Sequence, residues 1–348
     1  MAVEQELSAE IPPALAGQRL DQALAVLFPD YSRSRLQTWV RDGRVQVNGE
    51  VLRPRDKVNA GDRVQLRAVA EEQVACEPQD IPLDIVFEDP DLLVINKPAG
   101  LVVHPAAGNP DGTVQNALLF HDPASIELPR AGIVHRLDKD TTGLMVIGRT
   151  QAAYKRLVEA MAGREIKREY RALVVGTMPA GGMIDLPIGR HPTQRTRMAV
   201  NPLGKPSVTH FRVLDAFRKH TLLKVILETG RTHQIRVHMA HLRHPVFGDP
   251  VYGGRLNLPP GAGEELKAVL RGFQRQALHA KRLQLTHPIS GRTMRFECAI
   301  PADMRKVLDA LAADAKTHWH DRDYDDAGFD DLDVEVIYAD ESGGGDVH

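Results

Sequence analysis

At 348 residues, 43% hydrophobic and 26% charged, the chain has the composition of a globular protein long enough for two domains and a sizeable core. No run of about 18 apolar residues occurs, and Met1 to Glu10 is acidic before it turns apolar. Neither a membrane span nor a signal peptide is indicated, and a cytoplasmic location is expected. Cys76 and Cys298 give no disulfide framework and no paired thiolate spacing for zinc. The formal net charge of −2 is unevenly spread: residues 321–348 hold eleven acids and one arginine, leaving residues 1–320 with 43 basic and 35 acidic side chains, or +8. A basic body is compatible with a polyanionic partner without requiring one.

Residues 1–16, with Pro12 and Pro13, read as a loose lead-in. From Gly17 the apolar positions Leu20, Ala23, Leu24 and Leu27 recur at helical spacing until Pro29 and Asp30 stop them, with Asp21 placed to serve the first turn. A second helix is predicted over about Ser32 to Asp42, capped by Ser32 or Ser34, with Leu36, Trp39 and Val40 as its apolar face. Val45 to Gly49 then reads as a strand ending in an Asn-Gly turn, and Asp62 to Leu66 as its closing partner. Arg33, Arg35, Arg41 and Arg44 lie in and just after the second helix; taken alone, four such arginines are a solvated face. In this order of elements they resemble the S4 RNA-binding domain, over residues 17–68. The resemblance implies that the basic helix lies against RNA phosphates, which positions the protein without reading sequence.

Residues 69–80 lack periodicity and are expected to be a linker, followed by a second domain over 81–316. It opens with strands at Asp84 to Glu88 and Leu92 to Asn96, then the loop Asn96 to Gly100 and Val102-Val103-His104-Pro105. A helix is predicted near Val114 to Phe120. Tyr154, Leu157, Val158 and Met161 fall at i, i+3, i+4 and i+7 of another, over 151–162. Lys167 to Val175 reads as a strand with Tyr170, Ala172 and Val174 on one face, and 207–216 and 220–228 as an antiparallel pair. Residues 231–239 are predicted helical, as are 264–275 and 302–316. His233, His238, His241 and His244 do not have zincin spacing, no Walker motif exists, and neither a metal nor a nucleotide cofactor is expected. The acidic tail, 317–348, has too little apolar content to fold alone and reads as disordered.

The chemistry concentrates in Gly132 to Ile147, where a charged loop, His135-Arg136-Leu137-Asp138-Lys139-Asp140-Thr141-Thr142-Gly143, runs into an apolar strand at 144–147. A carboxylate beside a guanidinium stays ionised and aimed, as a nucleophile or general base requires; a salt-bridged surface turn would have the same composition. His135-Arg136-Leu137-Asp138 followed by Thr142-Gly143-Leu144 resembles the catalytic signature of the pseudouridine synthases that share the large-subunit ribosomal RNA pattern, with Thr142 where many relatives carry Ser. The resemblance extends over about residues 17–300. It implies an α+β pseudouridine synthase fold, with a central mixed or antiparallel sheet and a catalytic cleft, beside the small S4-like unit.

Further roles follow from that resemblance alone. Asp138 is the essential carboxylate, and Arg231, the first arginine of Gly230-Arg231-Thr232-His233-Gln234-Ile235-Arg236, is its ion-pair partner. Tyr170, on its residues alone a core tyrosine with a satisfied hydroxyl, stacks on the target base and is available as a proton acceptor. Lys97 and His104 belong to a structural motif. Leu278, in the block Ala277 to Leu283, is a wall of the site, though an ordinary core leucine fits equally well. Arg136, from its place in the loop, is a candidate to fill the gap left by a flipped base. The implied substrate is 23S ribosomal RNA, free or within large-subunit precursors, in the helix 69 hairpin, modified by a monomer without cofactor, metal or membrane. Beside a synthase of the same family acting on another rRNA or tRNA site, two other readings remain: an S4-type RNA-binding or ribosome-assembly factor that keeps a synthase scaffold without activity, and a glycosidase using Asp138 and Asp140. The second suffers because neighbours in one loop rarely flank a sugar from opposite sides.

Overall fold

The computed structural model describes residues 4–29, 31, 33–69, 76–106, 108–194, 197–318 and 335–338, and divides into two compact units, Met1–Cys76 and Glu77–His348. In the first unit the supposed lead-in is a strand, β1 (Glu4–Glu10). Alternation in Leu7, Ala9 and Ile11 carries it, and its register from Glu4↔Val69 to Glu10↔Arg63 is uninterrupted. Helices α1 (Leu20–Leu27) and α2 (Arg33–Arg41) and strands β2 (Val45–Val47) and β3 (Arg63–Val69) complete the unit, the sheet order being β1-β3-β2. Ser34 lies within the bounds of α2, and Ser32 lies outside the described residues. Leu20 and Leu24 of α1 and Leu36, Trp39 and Val40 of α2 meet Val45, Val58, Val64 and Leu66 in one core. Asp21 is fully buried and accepts from Arg19 Nε at 3.0 Å and Gln37 Nε2 at 2.6 Å, so it ties α1 to α2 rather than serving its own first turn.

Part of the predicted linker is attached to the second unit. Residues 70–75 lie outside the described set, but Asn116 Nδ2 donates to the Glu77 carbonyl at 2.8 Å, and Gln79 N–H to the Asn116 carbonyl at 3.0 Å. Backbone that would otherwise be solvated is thus sewn onto the second unit.

The second unit is built on β4 (Ile85–Glu88), β5 (Leu92–Lys97), α3 (Val114–His121), β6 (Thr142–Gly148), α4 (Gln151–Ala162), β7 (Lys167–Val175), β8 (Gly182–Asp185), β9 (Ile188–Arg190), β10 (Met198–Val200), β11 (Val208–Ala216), β12 (His220–Leu227), α5 (Gln234–His241), α6 (Glu264–Gly272), β13 (Leu278–Thr286), β14 (Thr293–Glu297), α7 (Ala302–Thr317) and β15 (Glu335–Tyr338). Apart from the two-stranded β9-β10 ribbon, the strands form one sheet in the order β15-β8-β11-β12-β7-β13-β6-β5-β4, with β14 also on β13. All its pairings are antiparallel except β13 with β6 and β15 with β8. Within the acidic tail, Glu335–Tyr338 is therefore a strand, where sequence suggested disorder; 319–334 and 339–348 lie outside the described residues.

The join that positions the site is the shortest in the sheet: β13 meets β6 only through His279↔Thr142 and Ala280↔Gly143. Gly143 has φ +114°, and a Cβ there would lie 2.3 Å from the Ala280 carbonyl oxygen, so only glycine lets the strands approach. β6 is buried along its whole length, as its apolar run demands.

This unit buries several histidines. Burial holds His220, His238 and His279 at pKa about 4 and His135 at about 3. Among the described residues neither ring nitrogen of His220 has a hydrogen-bond partner, and its ring stands edge-on to Phe247 at 5.1 Å. These folded-state values lie below the unfolded one, so between about pH 6.5 and 4 the unfolded chain takes up protons the folded chain refuses. Stability should fall with decreasing pH through that window, by up to about 1.4 kcal/mol per pH unit for each histidine. Urea midpoints at pH 7.5, 6.5 and 5.5 measure this, and His220→Phe should flatten the curve; a midpoint that stays constant across the range refutes it.

Candidate active site

Asp138 sits in a loop held by its neighbours rather than by regular pairing. Ile133 bridges Ile147 antiparallel, and His135 Nε2 accepts the Val146 N–H at 3.0 Å, on the stretch of β6 beyond the reach of β13. The Asp138 carbonyl accepts the Thr141 N–H at 3.1 Å, closing a tight turn, and the buried Leu137 roots it. Lys97, 1% exposed, donates from Nζ to the carbonyls of Pro98, Leu101 and Lys139 at 2.8, 2.9 and 2.8 Å. Arg275 Nη1 reaches the Asp140 carbonyl at 3.1 Å, and Gln276 Nε2 reaches Thr141 Oγ1 at 3.1 Å. Burial pushes the Lys97 ammonium down to about 7, against the pull of Asp140 and Asp138.

The carboxylate of Asp138 is met by Arg236, whose Nη1 donates to Oδ2 at 2.9 Å. Arg236 in turn grips Asp249 with two bonds, Nε to Oδ2 at 2.6 Å and Nη2 to Oδ1 at 2.8 Å, and Asp249 Oδ1 also accepts the N–H groups of Val251 and Tyr252 at 2.8 and 3.0 Å. Burial opposes the Arg236 charge, but the Asp249 bonds and the nearby carboxylates raise its pKa; Asp249 is lowered despite its burial, by Arg236 and those backbone donors. His233 stands on the other side, Nε2 at 3.9 Å from Asp138 Oδ1, with Nδ1 at 2.8 Å from the Tyr252 hydroxyl.

The ion-pair assignment from sequence is therefore corrected: the partner of Asp138 is Arg236, not Arg231. Residues 231–233 are a turn, not the start of a helix; α5 begins at Gln234, and His233 before it is left-handed, φ 57°. Gln234 Oε1 accepts from Thr229 Oγ1 and the Arg231 N–H, while Nε2 donates to the Val208 carbonyl and Thr209 Oγ1. That turn leaves the Arg231 side chain outside, with Nε on the Pro206 carbonyl at 3.2 Å. Arg236, inside α5 and 4% exposed, faces inward. A signal was present: an arginine between Ile235 and Val237 on a short helix has to be buried, and a buried arginine needs a carboxylate. Asp249, missed altogether, lies in Gly248-Asp249-Pro250-Val251-Tyr252, a turn whose N–H groups its side chain collects.

Tyr170 is buried on β7, paired with Ala280, while Leu278 pairs with Ala172, so the two are diagonal neighbours on one sheet face. Burial raises the phenol pKa; Arg168 opposes this and the charge of Asp138 adds to it. The phenol thus stays protonated near neutrality, which suits stacking better than proton abstraction. Arg136 is exposed two residues before Asp138. In the first unit Arg35 lies over the Trp39 ring at 5.6 Å, Arg41 is exposed and Arg44 half-buried; the side chain of Arg33 lies outside the described residues.

Three of the four clustered histidines are engaged by protein groups: His233 by the Tyr252 hydroxyl, His238 by Thr209 Oγ1 and the Leu186 carbonyl, His244 by the Val175 carbonyl. Among the described residues, side chains with metal-ligand spacing are Asp89, Asp91 and His287. Their atoms already serve a turn: Asp89 Oδ1 takes the Asp91 and Leu92 N–H groups, Asp89 Oδ2 meets His287 Nε2 at 2.9 Å, and Asp91 Oδ1 takes the Thr150 hydroxyl.

Residues 91–241 match the family model described as RNA pseudouridylate synthase, and residues 18–64 match the S4 domain. The chain is 58% identical over 325 residues, covering 93% of itself and 100% of the relative, to ribosomal large subunit pseudouridine synthase D of Escherichia coli K12. It is 58% identical over 317 residues to the protein of the same name from Yersinia pestis, covering 91% and 98%. Among solved structures, human RNA pseudouridylate synthase domain containing 4 superposes with a TM-score of 0.51 at 26% identity, over 66% of this chain and 92% of that one.

Lysine cannot reproduce three directed bonds from one planar group. Arg236→Lys should therefore lower kcat by about 100-fold or more, in the range seen when one preorganised electrostatic donor is lost, whereas Arg231→Ala should leave kcat within a few-fold. Single-turnover rates on RNA measure both. Equal losses would return Arg231 to the site.

Proposed function

The chain belongs to the RNA pseudouridylate synthase family and is an isomerase of RNA uridine, and we propose that its substrate is 23S ribosomal RNA, at uridines of the helix 69 hairpin. The observation that carries the chemistry is the half-buried Asp138 carboxylate, with Oδ2 taken by Arg236 and Oδ1, among the described residues, without a hydrogen bond. One oxygen fixes orientation and the other is free to act. The 58% identity, over 93% of this chain and the whole of a relative named for the large ribosomal subunit, supports the substrate.

The target uridine is extruded from its stem at a cost of roughly a few kcal/mol, offset by stacking and backbone contacts. Tyr170 stacks on the uracil, Leu278 lines the same face, and Arg136 enters the space the base has left. With Asp138 acting, the N1–C1′ bond breaks, the uracil turns while trapped, C5 bonds to C1′ and gives up its proton, and N1 takes one up. The product is an isomer of the substrate, so the reaction consumes no oxidant, reductant or donor group, which fits action without a nucleotide cofactor. The S4 unit supplies phosphate contacts through Arg33, Arg35, Arg41 and Arg44 of α2 and its end. The enzyme works as a monomer in the cytoplasm, on free 23S RNA or large-subunit precursors.

Carbodiimide mapping of rRNA and tRNA in cells lacking the protein, and in cells complemented with wild type or Asp138→Ala, tests this reading. Helix 69 pseudouridines should vanish and return only with the wild type. Loss at another RNA site would move the substrate and keep the enzyme; no change at any uridine would favour an S4-type RNA-binding factor.

A further inference from the structure

The proposed function leaves His233 unused, although its Nε2 lies 3.9 Å from the Asp138 oxygen that Arg236 does not hold. Its conformation is specified: His233 is left-handed just ahead of α5, and its ring stands edge-on to Tyr252, centroids 5.5 Å apart. The Tyr252 hydroxyl accepts the Met198 N–H at 2.9 Å and lies 2.8 Å from His233 Nδ1. With that backbone donor on the phenol oxygen, the phenol proton is directed at Nδ1. His233 then carries its own proton on Nε2, the nitrogen that faces Asp138.

The charged and titratable groups around the ring are Asp138 and Arg136 of the loop, Arg236 of α5, and Asp249 and Tyr252 of the following turn. Burial lowers the His233 pKa, opposed by Asp138, so the ring is neutral near pH 7. Nε2 and Asp138 Oδ1 are 3.9 Å apart, too far for a direct hydrogen bond and right for one atom that bonds to both. A donor thus faces an acceptor across a gap. A phosphate oxygen or a carbonyl there could accept from Nε2 but not donate to the carboxylate. A hydroxyl does both.

We propose that His233 Nε2–H and Asp138 Oδ1 together bind the 2′-hydroxyl of the target ribose, with Tyr252 setting the tautomer. The proposal rests on the pseudouridine synthase reading, because that reaction breaks and remakes a bond at C1′ under the action of Asp138, and the 2′-hydroxyl is the hydroxyl closest to that carbon. His233 is then a substrate-touching residue that fixes the sugar relative to the carboxylate and discriminates RNA from DNA at the modified nucleotide. Arg236 and His233 have complementary tasks: one holds Oδ2 from the protein side, the other holds the sugar against Oδ1.

The test is a double comparison of enzyme and substrate. Single-turnover rates are measured with full-length protein on 23S transcripts ligated to carry uridine or 2′-deoxyuridine at the modified position. Wild type should be slowed by about tenfold or more by the deoxy substitution, in line with loss of a hydrogen bond to a charged group. His233→Asn keeps a residue that accepts the left-handed backbone but shortens the reach; it should be slow on uridine and nearly indifferent to the 2′-hydroxyl. His233→Gln should recover part of the discrimination, and Tyr252→Phe should lose part. A purely structural His233 would slow both substrates by the same factor and leave the ratio at its wild-type value, which overturns the proposal. A wild type indifferent to the 2′-hydroxyl overturns it too, with the enzyme reading intact. Wild type that forms no pseudouridine in any transcript removes the reading beneath it.

Discussion

The active site depends on a buried carboxylate. Asp249 is 5% exposed, and taking such a charge out of water costs several kcal/mol unless every lone pair finds a donor. It finds four: two N–H groups of the Arg236 guanidinium and the backbone N–H groups of Val251 and Tyr252. That arrangement uses one edge of Arg236 completely and points Nη1 at Asp138. The same turn delivers the Tyr252 ring, which lies 5.1 Å from the Arg236 guanidinium carbon and bonds to His233. Asp249 therefore orders both sides of Asp138 without approaching it.

The loop that carries Asp138 raises a second problem, since it contributes polar backbone to the inside of a domain without a strand partner beyond Ile133. The carbonyls of Lys139 and Asp140 and the hydroxyl of Thr141 are met by Lys97, Arg275 and Gln276. Arg275 is itself fixed by Asp303 at the start of α7, with bonds of 2.7 and 2.9 Å. Two separate chain segments, one at Lys97 and one at Arg275-Gln276, thus hold three consecutive residues. The carboxylate then needs little reorganisation at the moment of reaction, which is where electrostatic catalysis gains most. This also gives the Asn96 to Gly100 loop a physical purpose: it presents a buried cation to a backbone rather than to a substrate.

Periodicity made the long elements legible. The predicted 151–162 helix and 167–175 strand coincide with α4 and β7, because each has one apolar face and a clear start. β1 escaped because its outward residues are charged and it precedes two prolines, so it reads as a tail until β3 is there to pair with it. β8, β9 and β10 are three or four residues long, too short for any period to show. At the site, the motif pointed to Arg231 as the partner of Asp138, whereas the guanidinium on that carboxylate is that of Arg236. The local string holds Arg231 in polar company and Arg236 between Ile235 and Val237, and what turns only the second inward is the left-handed His233 and the side-chain bonds of Gln234, neither of which has a sequence period. Asp249 lay beyond reach for another reason: its partner is thirteen residues away and only the fold makes them meet.

The two units divide the work of recognition in a way that charge alone cannot show. Phosphate contacts from a basic helix are insensitive to sequence and weaken with salt, so an S4 unit can bring RNA near without choosing a uridine. Choice must come from the catalytic unit, where the base has to leave its stack and the sugar has to meet a rigid carboxylate. The energy of extrusion then becomes part of specificity, because a loop uridine leaves more cheaply than a paired one. A site held by Asp249, Lys97 and Arg275 cannot adapt to a poorly presented nucleotide. Its rigidity therefore rejects most uridines by geometry before any base edge is read.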